Sequence, residues 1–520
     1  MVPLQRVRSH SDREHRTSGR LRRNAARIAV FWACAWTGLA YGGESPDATP
    51  LRLSLPIEVS GLPADGEPAP VSCSVDFTGM LQRLKVAGAV DEHTLRLHRL
   101  VPGGEVEEPV QFVAWPQARA GKRELLPGTS PQVSYLTERA ADQTADLPRQ
   151  AGELCWLARA GADGTQRYRL SFGVPRGGRF IQVPYAPQNL RALDGEGRAT
   201  PIAAFPVMQI RPQWPLDGRL HLSEANRLVT SYHLGPTLAE AGLPAVPLRR
   251  PFLYPVNGPD GLPLTEFGKA HDPTGSHAHH YSLWIAHARV AGHDYWSETG
   301  GLIAHDRWER LEDGPVFCRV VQRARWVRDR VEDLRERRVL TVYRAVGDVR
   351  LLDLELEFSP AGAQPVELGQ TTFGFLAVRV AQSMTPFDGG GEILNARGDR
   401  NEHAAHLKRA EWLDQSGPIA PGRPDPSQPG RTGPPRWGGI ALFDHPDNPN
   451  HPTGWHCRND GWAGAALCME KPYTIQPGQS LHLRYRVCLH RHNAVEGRVG
   501  RHYASYRAQP AVRLGEPTRD

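Results

Sequence analysis

The stretch LDLELEF, residues 352–358, decides the fold class of this chain. Apolar and acidic side chains alternate along it in the order Leu352, Asp353, Leu354, Glu355, Leu356, Glu357, Phe358. A period of two sends successive side chains to opposite faces, so the pattern predicts a β-strand with one buried face. The stretches RYRLSF (167–172) and LHLRYRVCLH (481–490) repeat it. With 52 glycines and 46 prolines in the chain, we predict a mainly β protein, in which a large C-terminal β-sandwich of supersandwich type follows a smaller β-sandwich.

Segments rich in proline and glycine suggest the domain boundaries. One such segment, residues 183–201, separates an accessory N-terminal β-sandwich domain at 45–185 from a C-terminal β-sandwich domain at 200–505. A second, residues 416–437, contains seven prolines and is predicted to be a surface loop between strands. The charged stretch at 320–338 has the residue types of an exposed helix but lies between strand-like segments, and we interpret it as a long strand pair.

The first 40 residues have the layout of an export signal. Eight arginines and two acidic residues precede the apolar run IAVFWACAWTGLA, which is followed by a polar segment, so cleavage is expected near Ala40. A retained single membrane anchor is the alternative. The formal charge of the whole chain is +6, and these 40 residues account for all of it. The neutral remainder gives no reason to expect nucleic-acid binding, and the predicted location is periplasmic or secreted.

A histidine cluster is the strongest candidate for a site. His277, His279 and His280 lie directly before the apolar segment YSLWIAH. On an extended backbone His277 and His279 share one face, about 7 Å apart, and His280 points to the other. A second polar loop, FDHPDNPNHPTGWHCRNDGW (443–462), contains the candidates Asp444, Asn448, His456 and Arg458. Histidine serves proton transfer or metal binding, and no complete set of metal ligands is visible.

Two further groups of residues carry weaker signals. Glu298 follows Tyr295 and Trp296, and aromatic rings beside a carboxylate suit a sugar, whose apolar face stacks on them. The acidic row of residues 353, 355 and 357 is a candidate acid–base set if its strand face lines a cleft. The alternative for that row is the solvated side of a sheet, and for the aromatic residues it is core packing.

Residues 232–492 resemble a bacterial family of unknown function that is often labelled "methane oxygenase PmoA". The resemblance rests on RRPFLYPVNGPDGLPLT (249–265), HAHHYSLWIAH (277–287), GFLAVRVAQSM (374–384) and the loop at 443–462. It implies an exported β-sandwich protein of glycan-degrading bacteria. A methane monooxygenase subunit is excluded, because no apolar run after residue 41 is long enough to cross a bilayer. Ser276, Ala278 and Tyr281 depart from the family pattern, which has Asp, Pro and Arg at these positions.

The sequence therefore predicts an exported carbohydrate-active protein, a glycan-processing hydrolase or lyase with a histidine-rich cleft. The predicted catalytic residues are His277, His279, His280, His456 and Glu298. The predicted substrate-binding residues are Arg379, Arg458, Tyr295, Trp296, Asp444 and Asn448. Its partner would be a glycan or small sugar, with no nucleic acid and no membrane beyond the export signal. A non-catalytic glycan-binding or envelope protein and a mononuclear metal protein remain alternatives. No cofactor is assigned, and a single divalent metal is open but not favoured.

Overall fold

A computed structural model describes most of the chain after residue 50. The described residues are 51–64, 67–115, 149–161, 163–174, 191–193, 199–201, 207–212, 218–235, 248–268, 277–297, 299–422 and 432–520. The export signal expected at 1–40 lies outside them. Within these ranges the protein is mainly β, which confirms the predicted fold class. No helix of the described part is long and apolar enough to cross a membrane.

The strands of the first half of the described chain are β1 (Leu51–Ser60), β2 (Ala69–Asp76), β3 (Asp91–Val101), β4 (Gly104–Glu108), β5 (Gln111–Ala114), β6 (Ala151–Ala158), β7 (Gln166–Val174), β8 (Arg191–Leu193), β9 (Ala199–Pro201), β10 (Met208–Pro212), β11 (Arg219–Glu224), β12 (Arg227–His233), β13 (Phe252–Val256), β14 (Leu283–His287) and β15 (Leu302–Glu312). Those of the second half are β16 (Phe317–Arg328), β17 (Val331–Tyr343), β18 (Val349–Pro360), β19 (Val366–Leu368), β20 (Gly374–Arg379), β21 (Glu392–Asn395), β22 (Lys408–Arg409), β23 (Trp412–Ala420), β24 (Arg436–Asp444), β25 (Gly454–Cys457), β26 (Trp462–Ala466), β27 (Tyr473–Ile475), β28 (Leu481–Arg491), β29 (Ala511–Leu514) and β30 (Thr518–Arg519). The helices are α1 (Phe77–Arg83), α2 (Asn401–Ala405) and α3 (Val499–Arg507), with a 3-10 turn at Gln382–Met384.

Two large sheets form the C-terminal sandwich. Among the described strands, one sheet has nine in the order β10-β11-β12-β13-β14-β20-β26-β25-β22, and the other has eight in the order β15-β16-β17-β18-β28-β24-β23-β21. Their facing sides share one core. Leu352, Leu354, Leu356 and Phe358 of β18 pack in it with Leu376 and Val378 of β20. The apolar side of the deciding stretch is therefore buried between the two sheets, as its alternation predicts.

The charged stretch at 320–338 forms most of β16 and β17, which pair antiparallel, so the strand-pair interpretation is confirmed. Asp329 and Arg330 connect the two strands with φ values of 46° and 69°. Positive φ at both central residues gives a hairpin turn whose twist matches that of the strands. A hairpin overrides the helix-like composition because its apolar positions fill one face of the sheet.

A smaller sandwich precedes the large one in the chain. Its sheets have the orders β29-β1-β7-β3-β4, with β30 also on β1, and β2-β6-β5. Tyr168, Leu170 and Phe172 of β7 are buried in its own core, as the alternation in RYRLSF predicts. The strands β29 and β30 come from the C-terminal end of the chain, which returns to pair with β1. Antiparallel pairing with β1 covers part of an edge that would otherwise be unpaired.

A third core lies on the outer side of the eight-stranded sheet. Phe443 and Cys488 of that sheet pack there with Cys155 of β6 and Tyr503 of α3. Gln111 of β5 adds polar contacts, since its Oε1 accepts hydrogen bonds from the backbone N–H groups of Val316 and Phe317 at 3.2 and 3.1 Å. As a result, β28 is buried on both faces over its second half, where alternation alone predicts one polar face.

The proline-rich segment at 416–437 begins inside β23 and ends inside β24. Ser416 pairs with Gly439, and Ala420 pairs with Arg436. The connection between the two strands therefore starts after Ala420, and residues 423–431 of it lie outside the described residues. The six cysteines of the described part, which are Cys73, Cys155, Cys318, Cys457, Cys468 and Cys488, are free thiols.

Candidate functional site

The three neighbouring histidines are brought together by a turn. The backbone N–H of His280 donates to the carbonyl of His277 at 3.0 Å, and residues 277–279 form a turn directly before β14. The extended geometry, in which His280 points away from the other two, is therefore not adopted. Ring centroids lie 6.4 Å apart for His277–His279, 5.1 Å for His277–His280 and 4.5 Å for His279–His280. All three imidazoles consequently share one small volume.

Arg379, at the end of β20, fixes the protonation of His280. Its Nε and Nη2 lie 3.2 and 2.7 Å from Nδ1 of His280, and both side chains are buried. A guanidinium only donates hydrogen bonds, so this Nδ1 must carry the lone pair and the ring proton sits on Nε2. Burial, followed by the charge of Arg379, strongly lowers the pKa of His280. His280 is thus a neutral imidazole with a fixed orientation.

Asp460 connects Arg379 with His277. It lies in the turn between β25 and β26, where Arg379 Nη1 donates to its backbone carbonyl and Arg379 Nη2 lies 3.6 Å from its Oδ2. The same Oδ2 is 3.9 Å from Nε2 of His277. The side chains of His277 and Asp460 are 30% and 24% exposed. The turn needs Gly461, which has φ +102° and whose Cβ would lie 2.7 Å from Thr385 Cγ2. The result is a carboxylate–imidazole pair at the boundary with solvent.

The second predicted loop reaches the first through Trp462. The ring of Trp462, at the start of β26, lies 5.5 Å from that of His280 and 4.3 Å from that of His456 in β25. His456 Nδ1 is 3.0 Å from the hydroxyl of Thr372. His280 and His456 are about 180 positions apart in the chain, and the antiparallel pairing of β14, β20, β26 and β25 places them beside one ring.

Aromatic rings extend the site beyond the histidines. Phe373 stacks on Trp462 at 5.9 Å with an interplanar angle of 10°, and it is 38% exposed. Trp296 lies 5.7 Å from Trp462 and 5.3 Å from Trp284. We call the whole group the His–Trp cluster, and it consists of His277, His279, His280, Trp284, Trp296, Phe373, His456 and Trp462.

Two buried N–H groups of the cluster lack an acceptor. Nε1 of Trp284 and Nε1 of Trp296 have no hydrogen-bond partner among the described residues. A buried donor without a partner costs about 1–3 kcal/mol. Both indole rings are buried in the core, so this cost is borne within the folded protein.

The imidazoles of His279 and His456 are also neutral at pH 7. Burial, followed by the charge of Arg250, lowers the pKa of His279 to about 4. Burial, followed by the electrostatic effect of His406, lowers the pKa of His456 to about 4. Neutral imidazoles accept and donate hydrogen bonds without adding positive charge beside the buried guanidinium groups. Arg250 itself is buried and donates to the carbonyl of Trp296 at 2.6 Å.

Several predicted substrate-binding residues lie outside this cluster. The Tyr295 ring is buried against Trp326, and its hydroxyl donates to Asp333 at 2.7 Å. Asp444 accepts from His451 and from the Thr453 N–H. These side chains stabilise their own surroundings, so the structure does not bring them to the histidines.

Asn448 and Arg458 are also engaged elsewhere. Asn448 donates to Asp444 and exchanges hydrogen bonds with the backbone of Arg484. Arg458 pairs with Glu402 at 2.9 Å and is 49% exposed at the hairpin that carries Asp460. Glu298 and Ser276 lie outside the described residues.

The acidic row of β18 is used in different ways. Asp353 accepts two hydrogen bonds from Arg486, at 2.6 and 2.8 Å, and one from Tyr343. Glu357 accepts from Ser480, and Glu355 is exposed. The row faces away from the shared core of the large sandwich, and its first member, Asp353, is committed to an ion pair with Arg486.

Sequence reasoning did not identify Asp460, Trp462 or Phe373 as site residues. Asp460 and Trp462 belong to the RNDGW end of the loop at 443–462, and their position close to His456 in the sequence could have identified them as candidates. Phe373 and Arg250 carry no local signal, because only strand pairing places them next to the histidines.

Chemically, the site joins a solvent-accessible imidazole–carboxylate pair to an aromatic surface. A carboxylate next to an imidazole orients the ring for proton transfer. An aromatic surface stacks on the apolar face of a sugar or another ring. Among the described residues, no group of three His, Cys, Asp or Glu side chains is arranged to hold a metal ion.

The part of the chain that contains this cluster matches a protein family. The family model matches residues 219–504, which is more than half of the 520 residues. The chain belongs to DUF6807, a family of unknown function. The DUF6807 match includes every residue of the His–Trp cluster, together with Arg379 and Asp460. Membership in a family of unknown function confirms the coarser part of the resemblance.

No curated protein matches the sequence. Solved structures similar to this DUF6807 chain include a protein in the glycosyl hydrolase family 38 from Enterococcus faecalis, with a TM-score of 0.36 and 11% identity over 89% of this chain. Another is an alpha-mannosidase from Enterococcus faecalis V583, with a TM-score of 0.34 and 9% identity over 89% of this chain. The chain spans about half the length of each, 47% and 46% respectively.

Proposed function

We propose that this protein is an exported carbohydrate-active protein that binds a sugar on the His–Trp cluster and processes it as a hydrolase or lyase. The proposal rests on the contact between an exposed aromatic surface and the group of histidines. The partly exposed Phe373 stacks on Trp462, and Trp462 contacts His280, which is grouped with the His277–Asp460 pair.

The aromatic surface favours a sugar over other polar ligands. A pyranose ring has an apolar face that stacks on aromatic side chains, while its edge carries hydroxyl groups. The partly exposed side chains of His277 and Asp460 are the polar groups that can exchange hydrogen bonds with such hydroxyl groups. A sugar thus satisfies both the apolar and the polar parts of the cluster.

His277 is the proposed proton-transfer group, and Asp460 is its orienting partner. The 3.9 Å separation of His277 Nε2 and Asp460 Oδ2 tightens readily when a substrate excludes water, as catalytic hydrogen bonds often do. Arg379 acts through Asp460 and His280 as a positioning residue, because it is fully buried between them.

The PmoA-like resemblance of residues 232–492 adds two expectations to the proposal. It implies a glycan-degrading bacterial context, and it agrees with the export signal inferred at residues 1–40. We therefore propose a periplasmic or secreted location.

The test is a turnover screen on a panel of oligosaccharides and aryl glycosides. His277→Ala should lower turnover by roughly 10²–10⁴-fold, the usual contribution of a general acid or base. His456→Ala should also lower it. His482→Ala is the matched control, since His482 is exposed on β28 away from the cluster, and it should retain wild-type turnover. Unchanged turnover in both cluster variants would remove these histidines from the mechanism.

A non-catalytic glycan-binding protein is the second candidate, and the neutral state of His279 and His456 favours it. This candidate predicts saturable binding without turnover. Phe373→Ala and Trp296→Ala should then weaken binding more than His277→Ala does. Equilibrium titration with the same oligosaccharides separates the two candidates.

A further inference from the structure

A cavity lies outside the His–Trp cluster and shares none of its residues. It has a volume of about 480 Å³ and is bounded by the small sandwich, the β17–β18 hairpin and α3. We call it the junction cavity. Its lining includes Arg159, Arg344, His502, Glu67, Asp348 and Glu496. The volume lies within the range of small-molecule sites, which occur preferentially where domains meet.

Two of the three acidic side chains of this lining are paired with arginines. Glu67 lies 3.1 Å from Arg498, and Asp348 lies 2.7 Å from Arg491. The third, Glu496, is 65% exposed, so water screens its charge. The arginines of the lining therefore determine the sign of the charge that a ligand meets.

Arg159 is one of these groups. It follows β6 of the small sandwich, is exposed, and its side chain has no ion-pair or hydrogen-bond partner among the described residues. Arg344 follows β17 on the opposite wall and is half-buried. Burial is the main reason that the pKa of Arg344 is lowered, and Glu224 partly offsets it. A guanidinium group that loses water in this way gains from an anion nearby.

His502 adds a polar group that points to a ligand. It lies on α3, is only 5% exposed, and its Nδ1 has no hydrogen-bond partner among the described residues. Burial lowers the pKa of His502 to about 4, so the ring is neutral at pH 7. A neutral imidazole can exchange a hydrogen bond with a hydroxyl group, and here none is supplied by the described residues.

We propose that the junction cavity binds a small anion, a carboxylate or phosphate carried on a body about the size of a monosaccharide. The anion contacts Arg159 and Arg344, and a hydroxyl group of the same ligand contacts His502. Because its walls come from both sandwiches, the ligand would bridge them. The inference stands apart from the proposed function, since none of these residues belongs to the His–Trp cluster.

Isothermal titration of the full chain with three sugars of similar size tests this proposal. The sugars are glucuronate, glucose 6-phosphate and neutral glucose. At least one of the two charged sugars should bind at micromolar to millimolar concentration, and glucose should bind at least tenfold more weakly. The stronger of the two charged sugars identifies the anion as carboxylate or phosphate. Binding of none of the three, or equal binding of glucose that weakens in Arg159→Gln, would overturn the proposal.

Two substitutions locate the binding. Arg159→Gln should weaken binding of the charged sugar about tenfold or more, and His502→Gln should weaken binding of the same sugar. Arg167→Gln is the matched control, because Arg167 is 73% exposed on β7 of the same sandwich and does not line the cavity. Since Arg159 is exposed, its variant should fold normally. Undiminished binding in Arg159→Gln would contradict the assignment.

Discussion

Two histidine–carboxylate pairs in this molecule have the same chemistry and opposite surroundings. His277 and Asp460 lie 3.9 Å apart and are 30% and 24% exposed. His490 and Asp414 lie 2.7 Å apart and are both fully buried. We call them the open pair and the buried pair. The pairs differ in burial, in separation and in the guanidinium of Arg379, which lies 3.6 Å from Asp460 only.

The buried pair holds strands together. His490 of β28 reaches Asp414 of β23 across β24, and its Nδ1 lies 3.1 Å from the carbonyl of Arg491. Gly439 leaves room for the ring, because a Cβ there would lie 2.2 Å from His490 Cε1. Burial alone would lower the pKa of His490, but the charge of Asp414 and the hydrogen bond to it outweigh burial and raise the pKa.

The open pair can exchange partners, and the buried pair cannot. Water reaches His277 and Asp460, whereas His490 and Asp414 would each be left as an uncompensated buried polar group if the other were removed. A histidine–carboxylate pair is therefore a stabilising element when it is buried and a candidate reactive group when it is exposed. Four predictions test this difference, beginning with the largest expected change in the free energy of unfolding.

Breaking the buried pair should have the largest effect. Asp414→Asn should lower the free energy of unfolding by about 3–5 kcal/mol, because it leaves a buried imidazole without its countercharge. Urea denaturation at pH 7 measures this. Asp447→Asn is the control, since Asp447 is 58% exposed in its pair with Arg484, and it should cost about 0–1 kcal/mol.

The pH dependence distinguishes a charged pair from lost packing. Because the folded pKa of His490 is raised, its contribution is fully present below the unfolded value of about 6.5 and is lost as the pH rises through the folded pKa. In Asp414→Asn the free energy of unfolding should no longer show this decrease as the pH rises. If it decreases equally with pH in wild type and variant, the buried pair is not charged.

Buried histidines that have no carboxylate partner should make the protein sensitive to acid. Burial lowers the pKa of His287 to about 4, so the unfolded chain takes up a proton below pH 6.5 while the folded chain does not. Stability should therefore fall between pH 6.5 and pH 4, and His287 should account for about 2 kcal/mol of the loss at pH 5.

Comparison of urea denaturation at pH 7 and pH 5 measures that loss. In His287→Gln the free energy of unfolding should fall less from pH 7 to pH 5 than it does in wild type, by the contribution of His287. His482→Gln, at an exposed position, should keep the wild-type difference. An unchanged difference in His287→Gln would mean that His287 takes up its proton equally in both states.

Breaking the open pair should have the smallest effect on stability. His277→Gln should change the free energy of unfolding by no more than about 1 kcal/mol, because His277 is 30% exposed and the carboxylate of Asp460 stays beside Arg379. If the proposed function holds, the same variant should lose at least tenfold in turnover or in glycan affinity. A large stability loss with unchanged activity would make the open pair a structural element like the buried one.

Part of the fold and of the site was readable from the sequence. The alternation in 352–358 and 167–172 predicted which side of β18 and β7 is buried, since side-chain direction in a strand depends only on the period of two. The histidines at 277–280 and 456 were found as candidates because clustered polar residues near apolar segments are visible locally. Tyr295, Asp444 and Asn448 were also polar or aromatic neighbours of such segments, and the structure uses them for internal contacts instead.

The sequence by itself determined the β class, the strand pair at 320–338 and the candidate histidines. The tertiary structure decided that Arg486, Cys488 and His490 are buried on the outer face of β28, that the C-terminal residues 511–519 pair with β1, and that Trp462 joins His280 to His456. The physical reason is the separation along the chain of the residues that each feature depends on. Periodicity reports the two faces of a single strand, whereas the partner of each face depends on pairing and packing between segments far apart in the chain.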